Sequence, residues 1–320
     1  MDSLLQVRVA AKTPVAEGVA AFDLMPLAGE SLPPFEAGAH IDVHVPGGLV
    51  RQYSLYELPG EPRRYRIGVL RDPQSRGGSA GLVESVREGD VLAISEPRNH
   101  FALAQAAEHS LLFAGGIGIT PILCMAQQLA REGLSFELHY CGRSAQRMAF
   151  VAQLKDSGYA DRVTLHVDEG AAEQQLNARA TIGNPARGKH LYVCGPAGFM
   201  DHILGAARAL GWDEARLHRE YFAAAPMDDS ADRPFELELR QSGTVIRVAA
   251  DQSAARALLD AGITLSVSCE QGVCGTCMTR VVEGAPDHRD LYLTDSEKER
   301  NDCFLPCCSR ARTRRLVLEL

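Results

Sequence analysis

The stretch that decides the fold reads Cys269-Glu270-Gln271-Gly272-Val273-Cys274-Gly275-Thr276-Cys277. Its three cysteines follow the spacing C-x4-C-x2-C, and Cys307 supplies a fourth thiol after twenty-nine intervening residues. This is the plant-type ligand pattern of a [2Fe–2S] cluster. Gly272 and Gly275 allow the tight backbone path that such a loop needs. We therefore predict that the cluster ligands are Cys269, Cys274, Cys277 and Cys307.

Two other metal centres fit these cysteines less well. Structural zinc usually takes its thiolates from two C-x2-C pairs, and this region contains only one such pair, Cys274 and Cys277. A Rieske centre requires two histidine ligands, and the pattern C-x-H does not occur in the sequence. The plant-type cluster remains the prediction.

The residues around the loop predict a small ferredoxin-like domain. Residues 235–239 and 244–248 alternate apolar and polar side chains as a hairpin does, and Ser253 is placed to cap a following helix. This order is the β-grasp order of a plant-type ferredoxin, which residues 235–320 resemble. Small, acidic and proline-bounded residues at 226–234 predict an extended linker before it.

Residues 1–103 predict a small antiparallel β-barrel. Residues 5–9, 39–45 and 65–69 alternate with period two between proline and glycine turns. On one strand, Arg51-Gln52-Tyr53-Ser54 offers an arginine for phosphate, an aromatic ring for a flat heterocycle and a hydroxyl for a ring atom.

A second short motif, Gly77-Gly78-Ser79, leads into a predicted helix. Ser79 stands where an N-cap is expected, and a glycine turn at a helix N-terminus is suited to an anion. Either motif alone is weak evidence, but together and in this order they resemble the flavin-binding barrel of the ferredoxin–NADP reductase superfamily, and the resemblance implies a flavin phosphate site.

Residues 104–225 predict a doubly wound α/β domain. The apolar run 110–114 is typical of a buried parallel strand, and Gly115-Gly116-Ile117-Gly118-Ile119-Thr120-Pro121 follows it, with Thr120 as expected helix N-cap. Cys194-Gly195-Pro196 repeats the strand–turn–helix order. Ligands of such sheets bind at the carboxyl ends of the strands, so these turns predict a nucleotide site even though G-x-G-x-x-G is absent.

With three domains in this order, the whole chain resembles the phthalate-dioxygenase-reductase family. The motifs R-x-Y-S, G-G-x-G-x-T-P and C-G-P match those of the ferredoxin–NADP reductase superfamily to which it belongs. The resemblance implies FMN, NADH and a [2Fe–2S] cluster as cofactors. It also implies that electrons pass to a separate Rieske-type terminal oxygenase of aromatic catabolism, either a ring dioxygenase or an O-demethylase.

The resemblance assigns roles to particular residues. It implies a catalytic group made of Ser54, Thr120, Cys194 and Glu220. The cofactor-binding residues that it implies are Arg51, Tyr53, Ser54, Gly77, Gly78, Ser79, Gly115, Gly116, Gly118, Thr120, Arg143, Cys194, Gly195, Pro196 and Phe222. Arg143 and Arg147 could hold the 2′-phosphate of NADPH, but they can equally bind ribose or pyrophosphate, and the resemblance favours NADH.

Composition limits the remaining possibilities. The formal net charge of −8 argues against a nucleic-acid partner, and no stretch reaches the ~20 apolar residues of a membrane span. Cluster assembly requires reduced thiols, so we expect a cytoplasmic protein, and we expect a monomer. A non-enzymatic iron–sulfur carrier or sensor is the alternative function, against which the intact flavin and nucleotide motifs argue. A reductase of a diiron monooxygenase usually carries its ferredoxin domain first, which the domain order here disfavours.

Overall fold

The computed structural model describes residues 4–27, 31–46, 48–60, 63–73, 77–222 and 232–320. The chain forms two compact units, Met1–Phe222 and Ala223–Leu320. Most of the predicted linker at 226–234 lies outside the described residues, as do the last three residues of the predicted domain 104–225. No helix in the described part of the chain is both long and apolar enough to span a membrane.

The first sheet of the N-terminal unit is the predicted antiparallel barrel. Its strands are Leu5–Ala16 (β1), Val19–Pro26 (β2), Ala39–Val45 (β3), Leu49–Ser54 (β4), Tyr65–Leu70 (β5), Val91–Ile94 (β6) and Arg98–Asn99 (β7). They are ordered β4-β3-β6-β1-β2-β5, with β7 beside β3. A bridge between Leu55 and Ile67 joins the two ends of this order, and the helix Gly78–Ser85 (α1) follows β5.

The second sheet of this unit is the predicted parallel sheet. Its strands are His109–Gly115 (β8), Ser135–Gly142 (β9), Val163–Val167 (β10), Lys189–Cys194 (β11) and Leu217–Glu220 (β12). Their order is β10-β9-β8-β11-β12, with every pair parallel. The helices of this layer are Ile119–Arg131 (α2), Val151–Lys155 (α3), Ala178–Ile182 (α4) and Ala197–Ala209 (α5).

The barrel and the parallel sheet share one hydrophobic core, which explains why they form one compact unit. The rings of Tyr56 and Phe150 lie 4.5 Å apart between centroids. From α2, Gln127 donates to the Tyr56 carbonyl at 2.8 Å, and the Cys124 thiol donates to the Glu57 carbonyl at 3.0 Å. These contacts hold the strand that ends in Ser54 against the nucleotide layer.

Two predicted helix caps are wrong. Helix α1 begins at Gly78 with Gly77 as its N-cap, and the Ser79 hydroxyl instead accepts the Asp72 N–H at 3.1 Å. In α2 a 3-10 turn, Gly116–Gly118, runs straight into the helix, so the helix starts before Thr120. The Thr120 hydroxyl bonds back to the Ile117 carbonyl at 3.0 Å, as threonines inside helices do.

The C-terminal unit has the predicted β-grasp form. Its elements are Phe235–Leu239 (β13), Val245–Val248 (β14), Ala254–Asp260 (α6), Thr279–Glu283 (β15), Pro286–Asp287 (β16), Asp295–Arg300 (α7), Cys303–Phe304 (β17), Arg310–Ala311 (β18) and Arg315–Leu318 (β19). The main sheet is ordered β14-β13-β19-β15-β17, and β13 runs parallel to β19. Ser253 caps α6 as predicted, accepting the Arg256 N–H at 3.2 Å.

Candidate active site and cluster loop

Two glycine turns at the carboxyl ends of β8 and β11 pack backbone against backbone. A Cβ on Gly118 would lie 2.3 Å from the Cys194 carbonyl oxygen, and one on Gly195 would lie 2.9 Å from the Gly115 Cα. Gly116 has φ +54, a conformation that L side chains rarely adopt. The two turns touch so closely that larger side chains would clash, so the predicted nucleotide motifs require small residues at these positions. Small residues also leave the backbone uncovered for a ligand.

Three of the four predicted catalytic residues come together at this edge of the sheet. Ser54, at the end of β4, donates its hydroxyl to Glu220 Oε2 at 3.3 Å. Cys194 and Glu220 are direct partners in the register of β11 and β12. Thr120, on α2, instead packs its methyl group against Gly68 of the barrel. The contact between Ser54 and Glu220 joins residues that are 166 positions apart.

Burial controls the chemistry of this group. The Glu220 side chain is only 14% exposed. Burial raises the pKa of Glu220 from 4.5 to about 8, against a smaller opposing effect of the Ser54 hydrogen bond. Burial, and then the charge of Glu220, raises the pKa of the Cys194 thiol well above its ordinary value. Cys194 is thus a neutral thiol, and Glu220 is a carboxyl that can hold or release a proton near neutral pH.

The two predicted phosphate segments also meet. A Cβ on Gly78 would lie 2.6 Å from Nε of Arg51, so the guanidinium lies against the first turn of α1. Gly77 has a positive φ of +101°, a backbone conformation that favours glycine. Tyr53, two residues along β4, is half-buried, and burial raises its pKa. Arginine, helix N-terminus and aromatic ring together suit a flavin phosphate and ring.

A cavity of about 670 Å³ opens beside the glycine turns. Its lining includes Gly115, Gly116, Ile117, Arg143, Pro196 and Phe199 from the α/β layer, and Glu17, Gly18, Leu70 and Arg71 from the barrel. Predicted residues Gly115, Gly116, Arg143 and Pro196 therefore face one space. Phe222 is 39% exposed at the end of the unit and does not line this cavity.

The four predicted cluster cysteines gather in the C-terminal unit. Hydrogen bonding from the Cys274 thiol, and then from Cys307, lowers the pKa of Cys269. A similar bond from Cys307 lowers the pKa of Cys277. In the described part of the chain no three metal-binding side chains converge on a point for one ion. Cys269 contacts both Cys274 and Cys307, and Cys307 also contacts Cys277, so the four thiols are close neighbours, as the four ligands of a [2Fe–2S] cluster must be.

The backbone of the loop also fits a cluster. The Gln271 N–H points at Cys269 Sγ and the Thr276 N–H at Cys274 Sγ, both at 3.4 Å. Gly272 and Gly275 have φ +71 and +73, so the predicted need for glycine is real at both positions. Amide donors around thiolate sulfur stabilise the negative charge that a cluster carries.

Cys307 and Cys308 lie in a turn, and their thiols have different neighbours. The Cys308 N–H donates to the Leu305 carbonyl at 3.2 Å, and its thiol points back to the same oxygen at 3.7 Å. Cys307 interacts with Cys269 and Cys277. The turn, rather than the alternation of a strand, separates the two thiols.

Comparisons with known proteins agree with this arrangement. The family model of the 2Fe-2S iron-sulfur cluster binding domain matches residues 237–312. The model described as dimethylamine monooxygenase subunit DmmA-like, N-terminal domain, matches residues 95–217.

The similarity to full-length reductases extends over the whole chain. Vanillate O-demethylase oxidoreductase of Pseudomonas sp. (strain HR199 / DSM 7063) is 55% identical over 317 residues, which are 99% of this chain and 100% of the relative. Phthalate dioxygenase reductase of Burkholderia cepacia is 38% identical over 320 residues, 100% of this chain and 98% of the relative. The chain belongs to the phthalate dioxygenase reductase family.

A solved structure of a phthalate dioxygenase reductase, described as modular for electron transfer from pyridine nucleotides to [2Fe-2S], has a TM-score of 0.78 and 38% identity. The match covers 99% of this chain and 98% of the chain in that solved structure. Membership of the phthalate dioxygenase reductase family confirms the predicted fold class, the predicted oxidoreductase function and the predicted cofactors. Members work with a separate terminal oxygenase, and the non-enzymatic carrier alternative is not supported.

Sequence reasoning missed several residues of this family member's site. Asp168 and Glu17 line the cavity, and His40 lies beside Glu220. Asp168 directly follows β10, so the rule that ligands bind at the carboxyl ends of strands could have found it. Glu17 and His40 are brought to the site only by the barrel, and no local sequence signal marks either of them.

Proposed function

We propose that the chain is the NADH-dependent reductase component of a Rieske-type aromatic O-demethylase. The observation that carries the proposal is the difference in identity. The chain is 55% identical to a vanillate O-demethylase oxidoreductase and 38% identical to phthalate dioxygenase reductase, over the same length. Residues that contact the partner oxygenase diverge with the partner, so the higher identity favours an oxygenase that removes O-methyl groups.

The chain's own residues bind and orient the cofactors. Arg51 and the start of α1 hold the FMN phosphate, and Tyr53 covers the ring system. The turns after β8 and β11 bring backbone close to the nicotinamide nucleotide, and the four cluster thiolates hold the [2Fe–2S] centre. Bound FMN would supply the redox chemistry that links a two-electron hydride donor to one-electron acceptors.

Ser54, Cys194 and Glu220 surround the reacting edge. The Ser54 hydroxyl is oriented by Glu220, so it can donate or accept at a ring nitrogen. The buried neutral Cys194 thiol adds a soft, uncharged surface for the nicotinamide. Burial of Ser54, Thr120 and Cys194 excludes water from that edge.

Charges around the cavity support NADH over NADPH. Glu17 of the barrel forms an ion pair with Arg147, with Oε2 and Nε 3.5 Å apart. Its backbone N–H also donates to the Gln146 carbonyl at 2.9 Å, which fixes the pairing. Asp168 adds a second carboxylate to the lining. Arg147 is therefore engaged, and two carboxylates would repel a 2′-phosphate, while Arg143 remains available for the shared pyrophosphate.

Reconstitution tests the proposed function. The purified holoprotein is mixed with a vanillate-demethylating Rieske oxygenase, NADH and vanillate, and formaldehyde release is measured against NADH consumption. We expect formaldehyde release coupled to NADH consumption with the vanillate pair, and no hydroxylated phthalate when a phthalate-hydroxylating oxygenase and phthalate replace that pair. Efficient turnover with the phthalate pair and none with the vanillate pair would contradict the assignment. NADH–ferricyanide activity in the same preparation controls for a damaged reductase.

A further inference from the structure

A buried carboxylate lies behind the cluster loop. The Asp290 side chain is 0% exposed, and the residue as a whole is 2% exposed. A Cβ on Gly272 would lie 3.1 Å from both the Cα and the Cβ of Asp290. Gly272 stands between the predicted ligands Cys269 and Cys274, so Asp290 packs directly against the backbone of the ligand loop.

Backbone hydrogen bonds fix Asp290 in this place. The next residue, Leu291, donates its N–H to the Gly272 carbonyl at 3.0 Å, which ties this segment to the loop of the first three predicted ligands. The Leu293 N–H donates to Asp290 Oδ2 at 2.7 Å. A short bond from a backbone amide is typical of a charged carboxylate acceptor.

The other carboxylate oxygen reaches the turn of the fourth predicted ligand. The Ser309 hydroxyl donates to Asp290 Oδ1 at 3.4 Å and accepts the Arg289 N–H at 3.1 Å. Ser309 is 1% exposed and stands two residues after Cys307. Asp290 therefore connects the two separate stretches of chain that supply the cluster thiolates.

We propose that Asp290 is a positioning residue of the [2Fe–2S] centre, which holds the two ligand-bearing stretches together and lowers the reduction potential of the cluster. Its negative charge lies in the protein interior, where water screens it little, so it opposes the addition of an electron nearby. The inference rests on the cluster of the family and does not depend on which oxygenase the reductase serves.

Three basic side chains stand near Asp290, and none of the three forms a hydrogen bond with its carboxylate. The Arg289 guanidinium instead binds Asp232, with Nη1 and Oδ2 3.0 Å apart. The Lys298 ammonium donates to the backbone carbonyl of Asp290 at 2.7 Å, and this lysine is partly exposed, so water screens its charge. His288 Nδ1 lies 3.7 Å from Asp290 Oδ1, which is too far for a hydrogen bond.

The first test measures the midpoint potential of the cluster in the purified holoprotein by a redox titration followed by EPR. Asp290→Asn keeps the size of the side chain but removes its charge. We expect the equilibrium constant for one-electron reduction of the cluster to rise by about tenfold or more, which corresponds to about 59 mV. Asp295→Asn, which removes the same charge from an exposed position of α7, is the matched control and should keep the wild-type potential. An unchanged potential in Asp290→Asn, or an equal rise in both variants, overturns the proposal.

A second variant separates the effect of charge from a disturbance of packing. Lys298→Met removes a positive charge close to Asp290, so the midpoint potential should fall, by less than it rises in Asp290→Asn because the lysine is partly exposed. Opposite signs for opposite charges are expected from electrostatics and not from altered packing. A potential that rises or stays at the wild-type value in Lys298→Met contradicts the proposal, and this variant decides the matter if Asp290→Asn does not retain its cluster.

Release of the cluster tests the connection between the two stretches. Ser309→Ala removes the hydroxyl that bonds to Asp290 and leaves the four predicted ligands in place. In the presence of an iron chelator, its visible cluster absorbance should decay about tenfold faster than that of the wild type, because a buried hydrogen bond to a charged group is lost. Ser296→Ala, at an exposed serine of α7, is the control and should match the wild type.

Release at the wild-type rate in Ser309→Ala overturns the positioning role. None of these measurements needs an oxygenase, so a negative result here leaves the proposed function standing. Failure to support vanillate turnover would contradict the proposed function and leave the role of Asp290 standing.

Discussion

At the scale of single residues, the adjacent thiols Cys307 and Cys308 have different surroundings. Cys307 interacts with two predicted ligands, and Cys308 turns to the Leu305 carbonyl. We expect Cys307→Ser to lose or strongly alter the visible and EPR spectra of the cluster, because a serine oxygen is a poor substitute for a soft thiolate. Cys308→Ser and Cys303→Ser should keep both spectra and the iron and sulfide content. Loss of the cluster in Cys308→Ser alone would show that the ligand assignment is wrong.

Glu220 predicts a pH dependence of stability. The pKa of Glu220 is about 8 in the folded protein, whereas its ordinary value is 4.5. Between these two pH values the folded state therefore binds more protons than the unfolded state. Stability is therefore lost as pH rises through that window. In flavin-free protein, Glu220→Gln should be more stable than the wild type at pH 8 by a few kcal/mol, and about equal at pH 4.5.

Thermal unfolding of the two proteins across this range measures the difference. The buried neighbours Ser54, His40 and Cys194 are the same in both proteins, so the comparison isolates the carboxyl. A difference in melting temperature that is constant with pH would refute the raised pKa.

At the scale of elements, the backbone contact between the turns after β8 and β11 can be tested at Gly118. Its φ of −59 suits any residue, but a Cβ there would lie 2.3 Å from the Cys194 carbonyl oxygen. Gly118→Ala should destabilise the protein by about 2 kcal/mol or more and raise the KM for NADH. Gly205→Ala in α5, where nothing lies within 4 Å of the new methyl, should stabilise by roughly 0.5–1 kcal/mol and leave KM unchanged.

The hairpin between β1 and β2 should influence the choice of nucleotide. Glu17 on this hairpin and Asp168 after β10 place carboxylates in the cavity wall. Glu17→Gln with Asp168→Asn should raise kcat/KM for NADPH relative to NADH by roughly tenfold, since a 2′-phosphate no longer meets like charge. Glu169→Gln, at an exposed neighbour outside the lining, is the control. If the ratio of kcat/KM for NADPH to that for NADH is unchanged in the double variant, the two carboxylates do not explain the preference for NADH.

At the scale of the whole molecule, local patterns predicted most of the fold. The spacing of Cys269 to Cys277, the period-two strands and the apolar run of β8 each depend on neighbours in sequence, so they were readable. Contacts between residues that are far apart in the sequence could not be predicted in this way. The Ser54–Glu220 hydrogen bond and the approach of Glu17 to Arg147 need the barrel packed on the sheet. The caps at Ser79 and Thr120 were misplaced because backbone turns start both helices earlier.

An anaerobic titration of the purified holoprotein with NADH tests the central claim most directly. Visible absorbance follows the flavin, and EPR at low temperature follows the cluster. We predict that NADH bleaches the flavin and that the reduced-cluster signal then appears in the same molecules, while Cys307→Ser still bleaches its flavin and shows no such signal. Flavin reduction that never produces the cluster signal in the wild type would contradict electron flow from NADH through the flavin to [2Fe–2S].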